Sequence, residues 1–216
     1  MHIAEGFLPV SHAAAWTAVA APFVGYGVRR LSREAVASPE APLLLGASGA
    51  FTLLLSSLKL PSVGGSSSHP TGCALGAYLC GPAVMAVLGP IVLLFQALLL
   101  AHGGLTTLGA NTVAMAIVGP WTSWGVWRVV QRAGGSRGLA AGVGAALGVL
   151  ATYATTAAQL ALAFPDPATG VAGAFVKFAG VFAITQLPLS VVEALLTVAA
   201  LNVLAVRGLG VVHGRA

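Results

Sequence analysis

Pro70-Thr71-Gly72-Cys73-Ala74-Leu75-Gly76-Ala77-Tyr78-Leu79-Cys80-Gly81-Pro82-Ala83-Val84-Met85-Ala86-Val87-Leu88-Gly89-Pro90-Ile91-Val92-Leu93-Leu94-Phe95-Gln96-Ala97-Leu98-Leu99-Leu100-Ala101-His102 is a run of 33 residues without one Asp, Glu, Lys or Arg. Whether it makes one helix or two decides the topology of the chain. At 1.5 Å per residue it reaches about 50 Å, short of two full crossings of about 30 Å each. Gly81-Pro82 and Gly89-Pro90 interrupt it. The arginines break the tie, because Lys and Arg gather in cytoplasmic loops. As one helix, the run puts Arg29, Arg30 and Arg33 opposite Arg128, Arg132 and Arg137. As two, it brings all six to one side, together with Arg207 and Arg215. The two-helix reading follows. One of the pair must then be short, and the segment after His69, ending near Gly81-Pro82, is the one expected. Irregular backbone at membrane depth needs protein or a cavity around it.

Outward from this run the spans read about 10–28, closed by Arg29, Arg30 and Arg33, and about 41–58, closed by Lys59. On the far side they read about 108–127 and 138–164, with a last span from near Lys177 to near Arg207. The expected fold is an all-α membrane protein of about seven transmembrane helices. Its N-terminus lies outside and its C-terminus in the cytoplasm. Residues 1–216 form a single integral domain, multi-pass in the cell (inner) membrane. Composition agrees: 57% of residues are hydrophobic and 7% charged, against roughly 25% charged in soluble domains. The net charge of +5 sits between apolar runs, so it marks topology and not nucleic-acid binding. Cys73 and Cys80 lie in an apolar stretch and read as free thiols. No basic segment precedes an apolar one at the start, so Met1 is read as the true terminus.

This topology sends Met1, His2, the loop 59–70 with His69, His102 and the loop with Asp166 to the outer side. A free amine followed by histidine offers three nitrogens in series: the α-amine of Met1, the backbone nitrogen of His2 and its imidazole Nδ1. Amine and amide close a five-membered chelate ring; amide and Nδ1 close a six-membered one. Tetragonal nitrogen coordination suits Cu²⁺, Ni²⁺ or a constrained Co²⁺. His69, in the loop Leu60-Pro61-Ser62-Val63-Gly64-Gly65-Ser66-Ser67-Ser68-His69-Pro70, can supply a fourth nitrogen or serve only as a loop histidine ahead of a proline. Residues 1–9 form the metal-binding segment, with Ile3, Phe7 and Leu8 available to insert it into the bundle. Glu5 is structural, since four nitrogens fill the plane.

Met1-His2-Ile3-Ala4-Glu5-Gly6-Phe7-Leu8-Pro9, Ser66-Ser67-Ser68-His69-Pro70-Thr71-Gly72 and His102-Gly103-Gly104-Leu105-Thr106-Thr107-Leu108-Gly109-Ala110-Asn111-Thr112, followed by Met115-Ala116-Ile117-Val118-Gly119-Pro120, resemble the CbiM/NikM family, most closely its cobalt branch. The family consists of substrate-capture (S) components of energy-coupling factor (ECF) importers for cobalt and nickel. The resemblance implies metal ligation by the Met1 amine, the His2 backbone and imidazole, and His69. It also implies a transmembrane coupling (T) subunit, two ATPase subunits and a small accessory membrane subunit as partners. The implied function is uptake of Co²⁺ or Ni²⁺ as transported substrate, supplying cobalamin biosynthesis. This chain has no Gly-x-x-x-x-Gly-Lys-Ser/Thr stretch, so it is read as no enzyme, with ATP hydrolysis on the partners. The alternative is a self-sufficient divalent-metal secondary transporter or channel, which would need polar groups through the membrane.

His102 opens the glycine-rich motif and reads either as support for the ligands, or as a lid stop, or as an interfacial histidine. Ser68 and Asn111 are candidates for orienting imidazoles by hydrogen bonds. His12 and His213 read as ordinary terminal residues. Glu193, the one acid inside a span, is placed far from the metal site, in helix contacts or partner docking. Gln96, Gln159 and Gln186 read as interhelical hydrogen-bonding groups. Gly46-Ala47-Ser48-Gly49 matches a serine-protease pattern but lacks a base at its depth.

Overall fold

The computed structural model describes residues 2–61 and 66–207; Met1, His213 and Arg215 lie outside them. Seven helices occur among the described residues: α1 (Val10–Glu34), α2 (Ala41–Ser57), α3 (Cys73–Cys80), α4 (Pro82–Leu99), α5 (108–132), α6 (Arg137–Ala163) and α7 (Gly170–Val206). In α5, Leu108–Asn111 and Gly119–Arg132 are α-helical and Thr112–Val118 between them is π-helical. Three short strands, β1 (His2–Ile3), β2 (Leu60–Pro61) and β3 (Ser66–Ser68), form one antiparallel sheet in the order β1-β3-β2. Helices α4, α6 and α7 are each long and apolar enough to cross a membrane, and α2, at 17 residues, is apolar but shorter. The chain is a multi-pass membrane protein.

The run 70–102 is two helices. Gly81 takes φ +89° between α3 and α4, a conformation open to glycine and strained for other residues. Pro82 then opens α4, where its missing N–H costs nothing. All eight residues of α3 are buried, so this short helix is enclosed by protein, as its length requires. Gly89-Pro90 does not break α4; Gly89 lies against Ala116 of α5, and neighbouring helices tolerate a proline at membrane depth. Two boundaries differ from the sequence reading. Helix α1 continues to Glu34, because arginine stems can lie along a helix beyond the apolar zone. Helix α7 begins at Gly170, not Lys177. Lys177 pairs with Asp166, whose Oδ1 also accepts from Ala168 N at 3.0 Å and Thr169 N at 2.9 Å. The lysine is neutralised in place and need not end the helix.

The core lies around α3. Tyr78 is fully buried, packs on Trp127 and donates to Ala141 O at 3.0 Å. Gly144 and Gly148 of α6 lie directly on Ser123 of α5, so these small residues serve internal packing. Gln96 Nε2 donates to Ser56 Oγ at 2.7 Å and Gln159 Nε2 to Ala110 O at 3.0 Å, the interhelical bonds expected of them. Ser48 donates back to Leu44 O at 2.7 Å within α2, an ordinary helix serine and no nucleophile.

Candidate metal centre

His2 and Ile3 are locked into the bundle. His2 pairs with Ser67 and Ile3 with Ser66 across the β1-β3 ladder. Ile3 N donates to Asn111 Oδ1 at 2.8 Å, while Asn111 Nδ2 and Thr107 Oγ1 donate to Ile3 O at 3.0 and 2.8 Å. The Ile3 side chain is fully buried with Leu8, Leu160 and Phe182, and Phe7 packs on Phe164 with its ring tilted by 59°, centroids 5.2 Å apart. Each backbone group of so short a strand would cost free energy if buried unpaired; the Asn111 amide serves both groups of Ile3. Gly104 passes so close to Glu5 that any side chain there would overlap its backbone. Thr106 N donates to Glu5 Oε2 at 3.2 Å, and hydrogen bonds from Thr106 hold the Glu5 carboxyl below its usual range. Glu5 is structural.

Three histidines from three distant segments meet in this setting. His2, His69 and His102 are each 2% exposed or less, and each offers a ring nitrogen within 4.8 Å of the others. Ring centroids stand 4.3 Å apart for His2 and His69, 4.4 Å for His2 and His102, and 4.9 Å for His69 and His102. Adjacent ligand atoms on one ion with bonds of about 2 Å stand about 3 Å apart, so these rings would close by about 1–2 Å to share an ion.

Acceptor-only partners set two of the tautomers. His2 Nε2 lies 3.0 Å from Met115 Sδ. A thioether accepts and cannot donate, so Nε2 carries the proton and Nδ1 keeps a lone pair. His69 Nδ1 donates to Pro70 O at 2.8 Å, which leaves the Nε2 lone pair free; that atom is buried without a hydrogen-bond partner among the described residues. With the His2 proton on Nε2, His102 Nε2 donates to His2 Nδ1 at 3.1 Å, and Ser67 Oγ, 2.6 Å from the same ring nitrogen, serves as an acceptor. Burial and the neighbouring histidine hold His2 well below the usual imidazole range, and burial does the same to His69. His102 is pushed down to about 4, first by burial. All three rings are neutral at pH 7, the form that ligates metal.

A cleft of about 390 Å³ leads to the cluster, lined by His2, Lys59, Ser66, Ser67, His102 and Gly103. Lys59 is bound to the end of α4, donating to Leu100 O at 3.1 Å and Ala101 O at 3.4 Å. A second cleft of about 440 Å³ lies at Phe164, Asp166, Lys177 and Phe178, where the two charges neutralise each other.

Of the candidate residues, the structure brings His2, His69 and His102 together; Met1 lies outside the described residues. Asn111 bonds the Ile3 backbone and Ser68 bonds Thr185 Oγ1 at 2.8 Å, so neither bonds an imidazole here. Ser67 does, and Met115 too; the sequence reading overlooked both. Met115 lies four residues after Asn111 in the same helix, one turn on, which is the signal that would have found it. Glu193 is not remote. Its carboxylate accepts from Thr71 N, from Thr71 Oγ1 at 2.7 Å and from Gly72 N at 3.0 Å, two and three residues past His69. The reading from linear position failed because α7 runs 37 residues and the 69–72 loop dips to meet it.

The family model of CbiM, "Cobalt uptake substrate-specific transmembrane region", matches residues 2–208. The chain is 61% identical over 204 residues to the cobalt transport protein CbiM of Streptomyces coelicolor, covering 94% of this chain and 88% of that one. It is 57% identical over 205 residues to the cobalt transport protein CbiM of Moorella thermoacetica, covering 95% and 79%. Among solved structures it superposes on a truncated transition metal transporter with TM-score 0.83 and 25% identity, over 96% of this chain and 99% of that one. On these grounds the chain belongs to the CbiM family.

Proposed function

We propose that this protein is the substrate-capture subunit of an ATP-driven importer of the energy-coupling factor type, binding Co²⁺ from the outer side of the membrane for uptake. The observation that carries the reading is the convergence of three buried histidines whose ring nitrogens lie within 4.8 Å of one another, with the His69 Nε2 lone pair left without a hydrogen-bond partner among the described residues. The proposed ligands are the amine of Met1, the backbone nitrogen and Nδ1 of His2, and Nε2 of His69. The ion displaces protons from the amine and the amide on entry, so binding strengthens with rising pH. His102 and Ser67 support His2 from the cleft side, and Met115 holds its tautomer. Nitrogen ligands alone accept Ni²⁺ as well; the cobalt names of the relatives favour Co²⁺.

In this reading residues 1–216 are one membrane domain with the histidine cluster outside and the arginine-rich ends in the cytoplasm. The chain has no phosphate-binding loop of its own, so a transmembrane coupling subunit with two ATPase subunits, and a small accessory membrane subunit, complete the importer. The imported metal supplies cobalamin biosynthesis. The channel alternative loses its main support, since both oxygens of Glu193 are engaged by residues 71 and 72.

Calorimetry on the purified chain tests the proposal. The native chain should bind about one equivalent of Co²⁺. A form extended by one residue before Met1, and the His69→Ala variant, should each lose that binding. An extended form that binds as well as the native one removes the amine from the site and overturns the ligand set.

A further inference from the structure

The 68–72 segment carries His69, and it is held at both ends by α7. At one end Ser68 Oγ meets Thr185 Oγ1 at 2.8 Å. At the other, Thr71 and Gly72 give three hydrogen bonds to Glu193. Thr185 and Glu193 are eight residues apart, about 12 Å along a helix. Two points on α7 thus fasten both ends of the segment, with His69 between them.

The acid is not there for charge pairing or packing. Glu193 is 0% exposed, and the salt bridges among the described residues, Arg30 with Glu34 and Lys177 with Asp166, do not include it. A buried carboxylate is costly unless several donors surround it. Here all three donors come from the turn that enters α3. Thr71 Oγ1 in turn accepts from Cys73 N, the first amide of α3, at 3.3 Å, so Glu193 holds from another helix the residues that lead into α3. Displacing the turn would displace Pro70, whose carbonyl fixes the His69 ring through Nδ1.

We propose that Glu193 is a positioning residue for His69: by holding the Thr71–Gly72 turn on α7 it sets where the His69 Nε2 lone pair stands, and so tunes metal affinity. This rests on the reading of His69 as a ligand. Supporting groups around metal ligands typically carry 10–100-fold in affinity.

The test is a double-mutant cycle on the detergent-purified full chain, titrated with Co²⁺, and with Cu²⁺ to keep weak variants measurable. Glu193→Leu should weaken binding about tenfold or more and move the absorption bands of bound Cu²⁺ toward those of His69→Ala. Glu193→Gln keeps the size and one oxygen but turns an amide toward Thr71 N; it should weaken binding less, and it carries the test if the leucine variant does not fold. Thr197→Val, one turn further on, should leave binding unchanged, since Thr197 Oγ1 has no hydrogen-bond partner. If Glu193 acts through His69, adding Glu193→Leu or Glu193→Gln to His69→Ala should cause no further loss. Additive losses, or Glu193 variants that bind as wild type does, overturn the inference and leave the metal site standing. A wild type that binds neither ion overturns the site and the inference together.

Discussion

Between Cys73 and Cys80 every side chain of α3 is buried in protein, whereas α7, 37 residues long, turns Ile184, Val191 and Leu195 outward. Both segments are apolar and Gly- or Ala-containing, and their sequences look alike. Their surroundings differ because α3 is too short to present itself to a bilayer, while α7 exceeds one. The short helix is the ground on which the His69 loop stands; the long one meets lipid and reaches inward at Thr185 and Glu193 to hold that loop. A metal site placed on an enclosed helix inherits its rigidity. A residue on the outer face of α7 should matter little.

The largest effect expected from this contrast is at the site. In the proposed site His2→Ala removes one ring nitrogen and the six-membered chelate ring, so cobalt affinity should fall by about 100-fold or more, beyond the 10–100-fold carried by groups that support ligands. Isothermal titration would read it, and a smaller loss would mean that the strand and not the imidazole binds. Next in size is acid. The unfolded histidines take up protons near pH 6.5, while buried His2, His69 and His102 resist, His102 down to about 4. The unfolded chain therefore binds more protons between these values, and stability falls as pH drops from about 6.5 toward 4. The melting temperature of the metal-free protein should decline through this window, and His102→Phe should make the decline shallower. An unchanged slope would show that His102 already protonates in the folded state.

Packing should separate the two helices more directly. Ala77 is fully buried in α3, so Ala77→Leu should cost about 1–3 kcal/mol by overpacking. Tyr78→Phe removes the bond to Ala141 O and should cost about 1 kcal/mol. Ile184 of α7 is 76% exposed; Ile184→Leu should change stability by less than about 0.5 kcal/mol. Melting curves in one detergent would compare all three. Equal effects at Ala77 and Ile184 would remove the distinction between an enclosed helix and a lipid-facing one.

Seven helices, the division of 70–102 at Gly81-Pro82, and the short helix after His69 were legible in the chain itself. Charge spacing and apolar length act locally, and a bilayer imposes one length on every span. His2 as a candidate ligand could also be proposed from the chain itself, because the atoms of a chelate there are neighbours along the backbone. Other features waited for the packed structure. His102 lies 100 residues from His2 and meets it at 3.1 Å; Met115 sets a ring proton and Ser67 bonds a ring nitrogen, while Asn111 holds the Ile3 backbone and Ser68 bonds Thr185. Glu193 lay in a span that its position alone made remote. A hydrogen bond between distant segments depends on which helix faces touch and at what depth, and no local pattern records that. Covalent neighbourhood and the lengths of the apolar spans were determined by sequence alone; the third histidine, the tautomers and the grip of α7 on the His69 loop were decided by tertiary packing.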